Sequence, residues 1–365
     1  MAVVNLRPLQ ALRPVLVLAA AMALAACSSG STPAGPDHRA AAGSGVGLLL
    51  DEPALSLQSV ACPEGDRCLA VGSGGNPAWV QTAADRNWSR AKGPSSAADL
   101  FDVSCAGPHE CLAVGSNRSF ALPSPVAWRS TDGGLSWVAT KAPRDLGTAQ
   151  RVACTKAGCV VVGIDAAGTW TARSNDLGRS WSSGASLPEA FTAVGGVSCS
   201  ASQCVAVGIG PGPSAAPVGL VAESANRGES WKLVTTPSDA LGPLYDVACL
   251  NDKWCHAVGA GAGAVVVRAT GSIDGDWHVV GAKAGATDLN AGYGVWCGDD
   301  PACITGGTVT TGSPAAPIGA LAVPSRSGRS LVRISYPPAS VVAVACASTQ
   351  RCVAVGGRTA VSFLP

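Results

Sequence analysis

Fourteen of the chain's 15 cysteines fall into seven pairs, and each pair opens onto a short run that ends in glycine. Cys62 and Cys68 precede LAVG, Cys105 and Cys111 precede LAVG, Cys154 and Cys159 precede VVVG, and Cys199 and Cys204 precede VAVG. Cys249 and Cys255 precede HAVG, Cys297 and Cys303 precede ITGG, and Cys346 and Cys352 again precede VAVG. The first cysteines of successive pairs lie 43, 49, 45, 50, 48 and 49 residues apart. Each unit reads strand, tight turn, strand, loop, strand, turn, strand; in the second these are LFDVSC, CLAVG, PVAWRS and SWVAT. A period in the forties with four short strands is the pattern of a propeller blade, not of a helical repeat. With 45 glycines and 25 prolines the composition also favours many strands and turns. The spacing predicts an all-β, seven-bladed β-propeller with four-stranded blades.

Closure of the ring follows from the two ends. The seventh unit stops after TAVSFLP, its third strand. Counting back from Cys62 by the distance that separates a fourth strand from the next cysteine lands on Gly45, the start of GVGLLL. The N-terminal segment is therefore expected to supply the missing outer strand, which leaves no long edge unpaired. Residues 45–365 form the propeller, with blades about 57–98, 99–147, 148–192, 193–242, 243–290, 291–339, and 340–365 plus 45–50.

The cysteine pairs have three chemical readings. Zinc needs about four ligands converging on one point, radial repetition holds the pairs apart, and His38, His109, His256 and His278 cannot make up the deficit. A redox site has C-x-x-C spacing, which these pairs lack. The remaining reading is one disulfide inside each blade, linking the first two strands. Closing a loop of about seven residues is worth at most about 2.4 kcal/mol on the chain-entropy model. No metal and no cofactor is expected.

The first 26 residues read as a leader. Arg7 and Arg13 form a basic start, Val15 to Ala26 is an apolar run, and LAAC ends at Cys27. The string resembles the lipobox of bacterial lipoproteins, which implies lipidation of Cys27 and anchoring on the outer side of the cytoplasmic membrane. An ordinary secretory leader cleaved near Ala26 is the alternative. Residues 27–44, rich in Gly, Ser, Pro and Ala, suit a flexible tether. Either way the chain is exported, where disulfides form. The formal charge is +1, and loss of the two leader arginines makes it −1. A nearly neutral domain without a basic stripe argues against nucleic acid. The domain is expected to be monomeric.

A second motif recurs between the third and fourth strands. STDGGLSW carries Ser130, Asp132, Gly134 and Trp137, and SNDLGRSW carries Ser174, Asp176, Gly178 and Trp181. SANRGESW has Asn226 in the aspartate position, and looser versions end at Trp277, Trp88 and Leu331. A short carboxylate accepts backbone N–H bonds in such a turn, glycine permits positive φ, and the aromatic ring anchors it. On these residues the chain resembles the Asp-box (BNR) repeat β-propellers, a superfamily that includes sialidases, sortilin-type receptors and a photosystem II assembly factor. The excess of arginine over lysine fits a GC-rich genome, as in an exported actinobacterial member.

That resemblance implies fold more than activity. A sialidase would carry an Arg-Ile-Pro motif near the start, a three-arginine clamp and a tyrosine nucleophile paired with glutamate. No RIP string occurs, Arg333 of VRIS lies near the C-terminus, and only Tyr245, Tyr293 and Tyr336 exist. No catalytic residue is assigned. The chain is expected to bind or scaffold a protein or glycan partner, with a sialidase-like glycoside hydrolase as the alternative. Candidate binding positions come from two comparisons. Three residues before the first cysteine stand Ser59, Asp102, Arg151, Gly196, Asp246, Gly294 and Ala343, with Phe101, Tyr245 and Tyr293 beside them, and these could rim the central channel. Trp254, His256 and Trp296 depart from what the other units carry at their positions.

Overall fold

The computed structural model describes residues 46–49, 54–63, 67–81, 87–94, 98–119, 121–200, 203–212, 216–234, 242–251, 254–261, 265–271, 277–279, 289, 291–298, 303–311, 316–325, 328–333, 340–348 and 351–363. The leader, Cys27 and the tether lie outside them. After β1 (Val46–Leu49) the strands come in fours. The first four are β2 (Ser56–Ala61), β3 (Cys68–Ser73), β4 (Ala78–Gln81) and β5 (Trp88–Arg90). The next are β6 (Ala98–Cys105), β7 (Cys111–Asn117), β8 (Pro125–Ser130) and β9 (Val138–Ala139). Then come β10 (Thr148–Thr155), β11 (Gly158–Asp165), β12 (Gly168–Ser174) and β13 (Ser182–Ser183). β14 (Ala193–Cys199), β15 (Cys204–Pro211), β16 (Pro217–Ser224) and β17 (Lys232–Leu233) follow. β18 (Leu244–Asn251), β19 (Trp254–Gly261), β20 (Val265–Gly271) and β21 (His278–Val279) form the fifth set. The sixth is β22 (Ala291–Trp296), β23 (Ile304–Thr311), β24 (Ala316–Ser325) and β25 (Gly328–Arg333).

Each set pairs in chain order, giving six blades of four consecutive strands. This corrects the expectation of seven such units. The seventh cysteine-marked unit supplies only β26 (Ala343–Ser348), β27 (Arg351–Gly356) and β28 (Thr359–Phe363), and it is not a blade by itself. The remaining four-stranded sheet is composite, in the order β1-β28-β27-β26. Val46 stands opposite Ser362 and Leu49 opposite Thr359, both in antiparallel pairing. The physical reason is the edge: β28 without β1 would present a row of unpaired backbone groups.

The second strand of each sheet is buried on both faces, and mostly apolar, because a neighbouring sheet packs against each side; the buried polar exceptions include His256 in β19 and Thr305 and Thr308 in β23. Leu112, Ala113 and Val114 of β7 are fully buried. Ala113 packs with Leu69 and Val71 of the preceding blade. Leu112 and Val114 pack with Val152, Val161 and Trp170 of the following one. The same two-sided packing recurs between Val205 and Leu244 and between Val353 and Val60, so the core is a circle of clusters between sheets. Truncating one such leucine to alanine typically costs about 2–5 kcal/mol.

Seven disulfides bridge the first and second strands, from Cys62–Cys68 to Cys346–Cys352, with Cα–Cα distances of 3.9 to 4.3 Å. Cys105 and Cys111 face each other directly in the ladder. The seven bonds fit an oxidising, extracytoplasmic compartment.

One irregularity sets up the site. In six of the innermost strands the pairing register slips four residues before the first cysteine. The extra residue is Gln58, Phe101, Gln150, Gly195, Tyr245 or Tyr293, a β-bulge in each case. The glycine that ends each second-strand run meets the strand just ahead of this bulge. A Cβ on Gly72 would collide with the Ser56 carbonyl oxygen, and one on Gly115 with that of Asp99. That is why LAV is followed by Gly.

Candidate functional site

After four of the six bulges the next residue, Ser59, Asp102, Arg151 or Asp246, lines a channel shared by the innermost strands of all seven sheets; Gly196 and Gly294, after the other two, are not among its lining residues. The cavity has a volume of about 330 Å³, and its ionisable side chains are Asp102, Arg151, Asp246, Tyr245 and Tyr293, with Phe101 among the other lining residues. Ser59 and Ala343 also line it, from β2 and β26.

The carboxylates are held by neighbouring strands. Asp102 Oδ1 accepts from the Ser59 hydroxyl at 2.6 Å and from the Val103 N–H at 2.9 Å, and Oδ2 accepts from the Val152 N–H at 2.8 Å. Asp246, on β18 three blades on from β6, repeats the two backbone bonds without the serine, with Val247 N–H at 2.8 Å and Val295 N–H at 2.9 Å. Each carboxylate therefore stitches its own strand to the next blade. Gly196, between them in sequence, has no room for a side chain, because a Cβ there would come 2.8 Å from Asp246 Oδ1. Arg151 donates from Nε to the Gly195 carbonyl and from Nη1 to the Gln150 carbonyl at 2.8 Å.

Burial dominates the electrostatics of the channel. It raises Asp102 above its ordinary value, against the opposing pull of Arg151 and of the bonds from Ser59, Val152 and Val103. It lifts Asp246 to about 7, with the Asp102 charge adding to the rise and Val295, Arg151 and Val247 opposing it. Tyr245 is raised by burial and by Tyr293, whose ring centroid lies 5.3 Å away at a tilt of 41°.

In the two S-x-D-x-G-x-S-W turns the carboxylate is bound from within the turn. Ser130 Oγ donates to Asp132 Oδ1 at 2.8 Å and accepts from the Gly134 N–H at 2.8 Å, while Ser136 N–H donates to Asp132 Oδ1 at 2.9 Å. Trp137 Nε1 donates to the Gly134 carbonyl at 3.0 Å. Around Asp176 the same bonds come from Ser174 at 2.8 Å and the Ser180 N–H at 2.8 Å, but Trp181 Nε1 reaches the Lys141 carbonyl instead. Gly134 and Gly178 adopt φ of 86° and 80°, which the turn requires. Asn226 substitutes in the third copy, accepting from Ser224 and from the Ser230 N–H. The carboxylate oxygens are occupied by the turn itself. No group of His, Cys, Asp and Glu that could hold a metal occurs among the described residues.

The three departing residues do not converge. Trp254 is the first residue of β19 and is 49% exposed, away from the channel lining. His256 is buried in β19. Trp296 is half-buried against the clusters on both sides of β26 and also borders the channel. Sequence reasoning missed the bulges and the serine stitches, in which Ser104 Oγ accepts from Cys154 N–H at 2.9 Å and Ser198 Oγ from Cys249 N–H at 3.0 Å.

A ring of four-stranded antiparallel sheets around one lined channel defines a β-propeller. The comparison with solved structures agrees on the fold. A structure titled "YCF48 bound to D1 peptide" superposes with a TM-score of 0.61 at 15% identity, covering 90% of this chain and 99% of that one. YCF48 from Cyanidioschyzon merolae gives 0.60 at 16% identity, covering 89% and 98%. A chain of the mitotic checkpoint complex gives 0.61 at 12% identity, covering 94% and 98%. No family model and no curated protein matches the sequence.

Proposed function

We propose that the propeller is an exported binding module, held to the outer side of the cytoplasmic membrane through Cys27, that receives part of a protein partner in its central channel. The observation that carries this reading is the cavity of about 330 Å³ in which aspartates, an arginine and four aromatic rings converge from different blades. Concave sites with a few polar groups among apolar ones are the usual form of a binding pocket. The likeness to a propeller whose structure holds a D1 peptide supports a peptide-like partner over a glycan. The Asp-box resemblance supports the same class of scaffold. Trp254, His256 and Trp296 are secondary candidates for the contact surface.

Capture from a membrane extract tests the proposal. The tethered wild type and a soluble form should retain the same partner, and Asp102→Asn with Asp246→Asn should retain less of it. Equal capture by a version with the channel aspartates replaced would overturn the channel as the site. Release of sugar from a sialoside by the purified wild type, at enzymatic rates, would replace the binding reading by the hydrolase one. Cys27→Ala should move the protein from the membrane to the soluble fraction, and unchanged retention would refute the lipid anchor.

A further inference from the structure

Resting on the reading that the channel receives a peptide, we propose that the group it takes is cationic: the side chain of a lysine or arginine. The argument is one of charge in a confined space. The charged side chains of the lining are Asp102, Asp246 and Arg151, so two carboxylates face one guanidinium. Among the described residues neither aspartate takes part in an ion pair. Arg151 spends two of its donors on the backbone carbonyls of Gly195 and Gln150. With both aspartates ionised the cavity would carry one negative charge more than Arg151 balances; an uncompensated charge out of water is costly, so Asp246 keeps its proton up to about 7 until a cation enters to balance it.

Geometry and chemistry select the same occupant. Asp102 Oδ2 and both Asp246 oxygens each accept one of these hydrogen bonds and have room for another, since a carboxylate oxygen has two lone pairs; Asp102 Oδ1 already accepts two. Tyr245 and Tyr293 stand beside Asp246 with their ring centroids 5.3 Å apart, and Phe101 stands beside Asp102. Aromatic faces near a carboxylate favour a cation, which gains from the ring quadrupole as well as from the charge. A volume of about 330 Å³ lies at the small end for ligand pockets, which suits one side chain better than an oligosaccharide. An anionic group would add to the negative charge of the carboxylates, and Arg151 already spends two of its five donors on backbone carbonyls.

The experiment titrates the whole mature chain with three end-capped pentapeptides, glycine throughout except for a central lysine, glutamate or norleucine, followed by calorimetry. The lysine peptide should bind at least tenfold more tightly than the other two. Asp102→Asn and Asp246→Asn should each weaken lysine binding at least fivefold. Arg151→Gln should strengthen it, because the lining then loses the cation that competes with the lysine for the carboxylates; this variant decides the matter even if the aspartate variants do not fold. Absence of lysine binding, equal binding of all three peptides, a preference for glutamate, or weaker lysine binding in Arg151→Gln would each overturn the proposal. Glutamate-selective binding would do so while leaving the channel as a peptide site. Failure of the binding-module reading shows separately, as absence of any partner in the membrane capture.

Discussion

Asp132 and Asp176 sit in turns between third and fourth strands, whereas Asp102 and Asp246 sit in the channel, and the two pairs are driven in opposite directions. In the turn, burial pushes Asp132 up, but the bonds from Ser136 and Ser130 outweigh it and leave it below its ordinary value. Asp176 is lowered to about 2 by the Ser180 hydroxyl and N–H first, with Ser174 adding to them. In the channel Asp102 also accepts three hydrogen bonds, yet burial wins and its value rises. The difference lies in what surrounds the hydrogen bonds. Beside solvent, donors stabilise a charge that water already favours; in the channel they replace lost water only in part. A carboxylate that serves the fold and one poised to meet a ligand can thus share residue type and donor number.

Removing the turn carboxylate should give the largest loss of stability. Asp132→Ala deletes the acceptor for Ser130 and Ser136 and should cost about 2 kcal/mol in denaturant unfolding with the disulfides intact. A cost as small as that of a surface substitution would mean that the turn does not depend on its carboxylate.

The two pairs should next separate by pH. Asp246, facing Arg151, Asp102 and the N–H groups of Val247 and Val295, holds its proton up to about 7 in the folded state against 3.8 ordinarily. Between those values the native state binds more protons than the unfolded one, so its contribution to stability is greatest on the acid side and is lost as pH rises through about 7. Asp176 behaves oppositely: its contribution is present above 3.8 and is lost as pH falls through about 2. Asp246→Asn should flatten the slope between pH 4 and 7, and Asp176→Asn the acid limb below it. Identical pH profiles for the two variants would erase the distinction.

Ser59→Ala should cost about 1 kcal/mol, by removing one donor to Asp102, and should raise the Asp102 value further. A lowered value, followed by carboxyl NMR, would contradict the ordering of burial over hydrogen bonding. The smallest effect is expected at Trp254→Ala, whose side chain stands at a strand end outside both regions; stability should change by less than about 0.5 kcal/mol. A large loss would assign Trp254 to the core.

Much of the architecture was legible because the repeat is local. The cysteine spacing, the LAVG runs and the S-x-D-x-G-x-S-W strings mark strands and turns from residues a few positions apart, and disulfides within a hairpin need no distant partner. The bulges also left a trace. Leu100 and Val103 are both buried, as are Leu244 and Val247, three residues apart where strict alternation demands two. That slip was readable in LFDVSC, although alternation alone does not say on which side the extra residue projects. The departures at Trp254, His256 and Trp296 were visible in sequence too, but they scatter to a strand end, a buried strand and the border between clusters.

By itself the sequence determined the strand content, the disulfide partners and the turn chemistry, since each depends on neighbours within one unit. It also placed Asp102, Arg151 and Asp246 at one repeat position. Only the tertiary structure decided that these three share one cavity and that Val152 and Val295 on the next blades donate to the aspartates, while it paired β1 with β28 as the two ends of the sequence led one to expect. Those outcomes depend on residues about 50 to 300 positions apart being brought together by ring closure, and on how much water the closed ring excludes. Neither quantity is written in any single repeat.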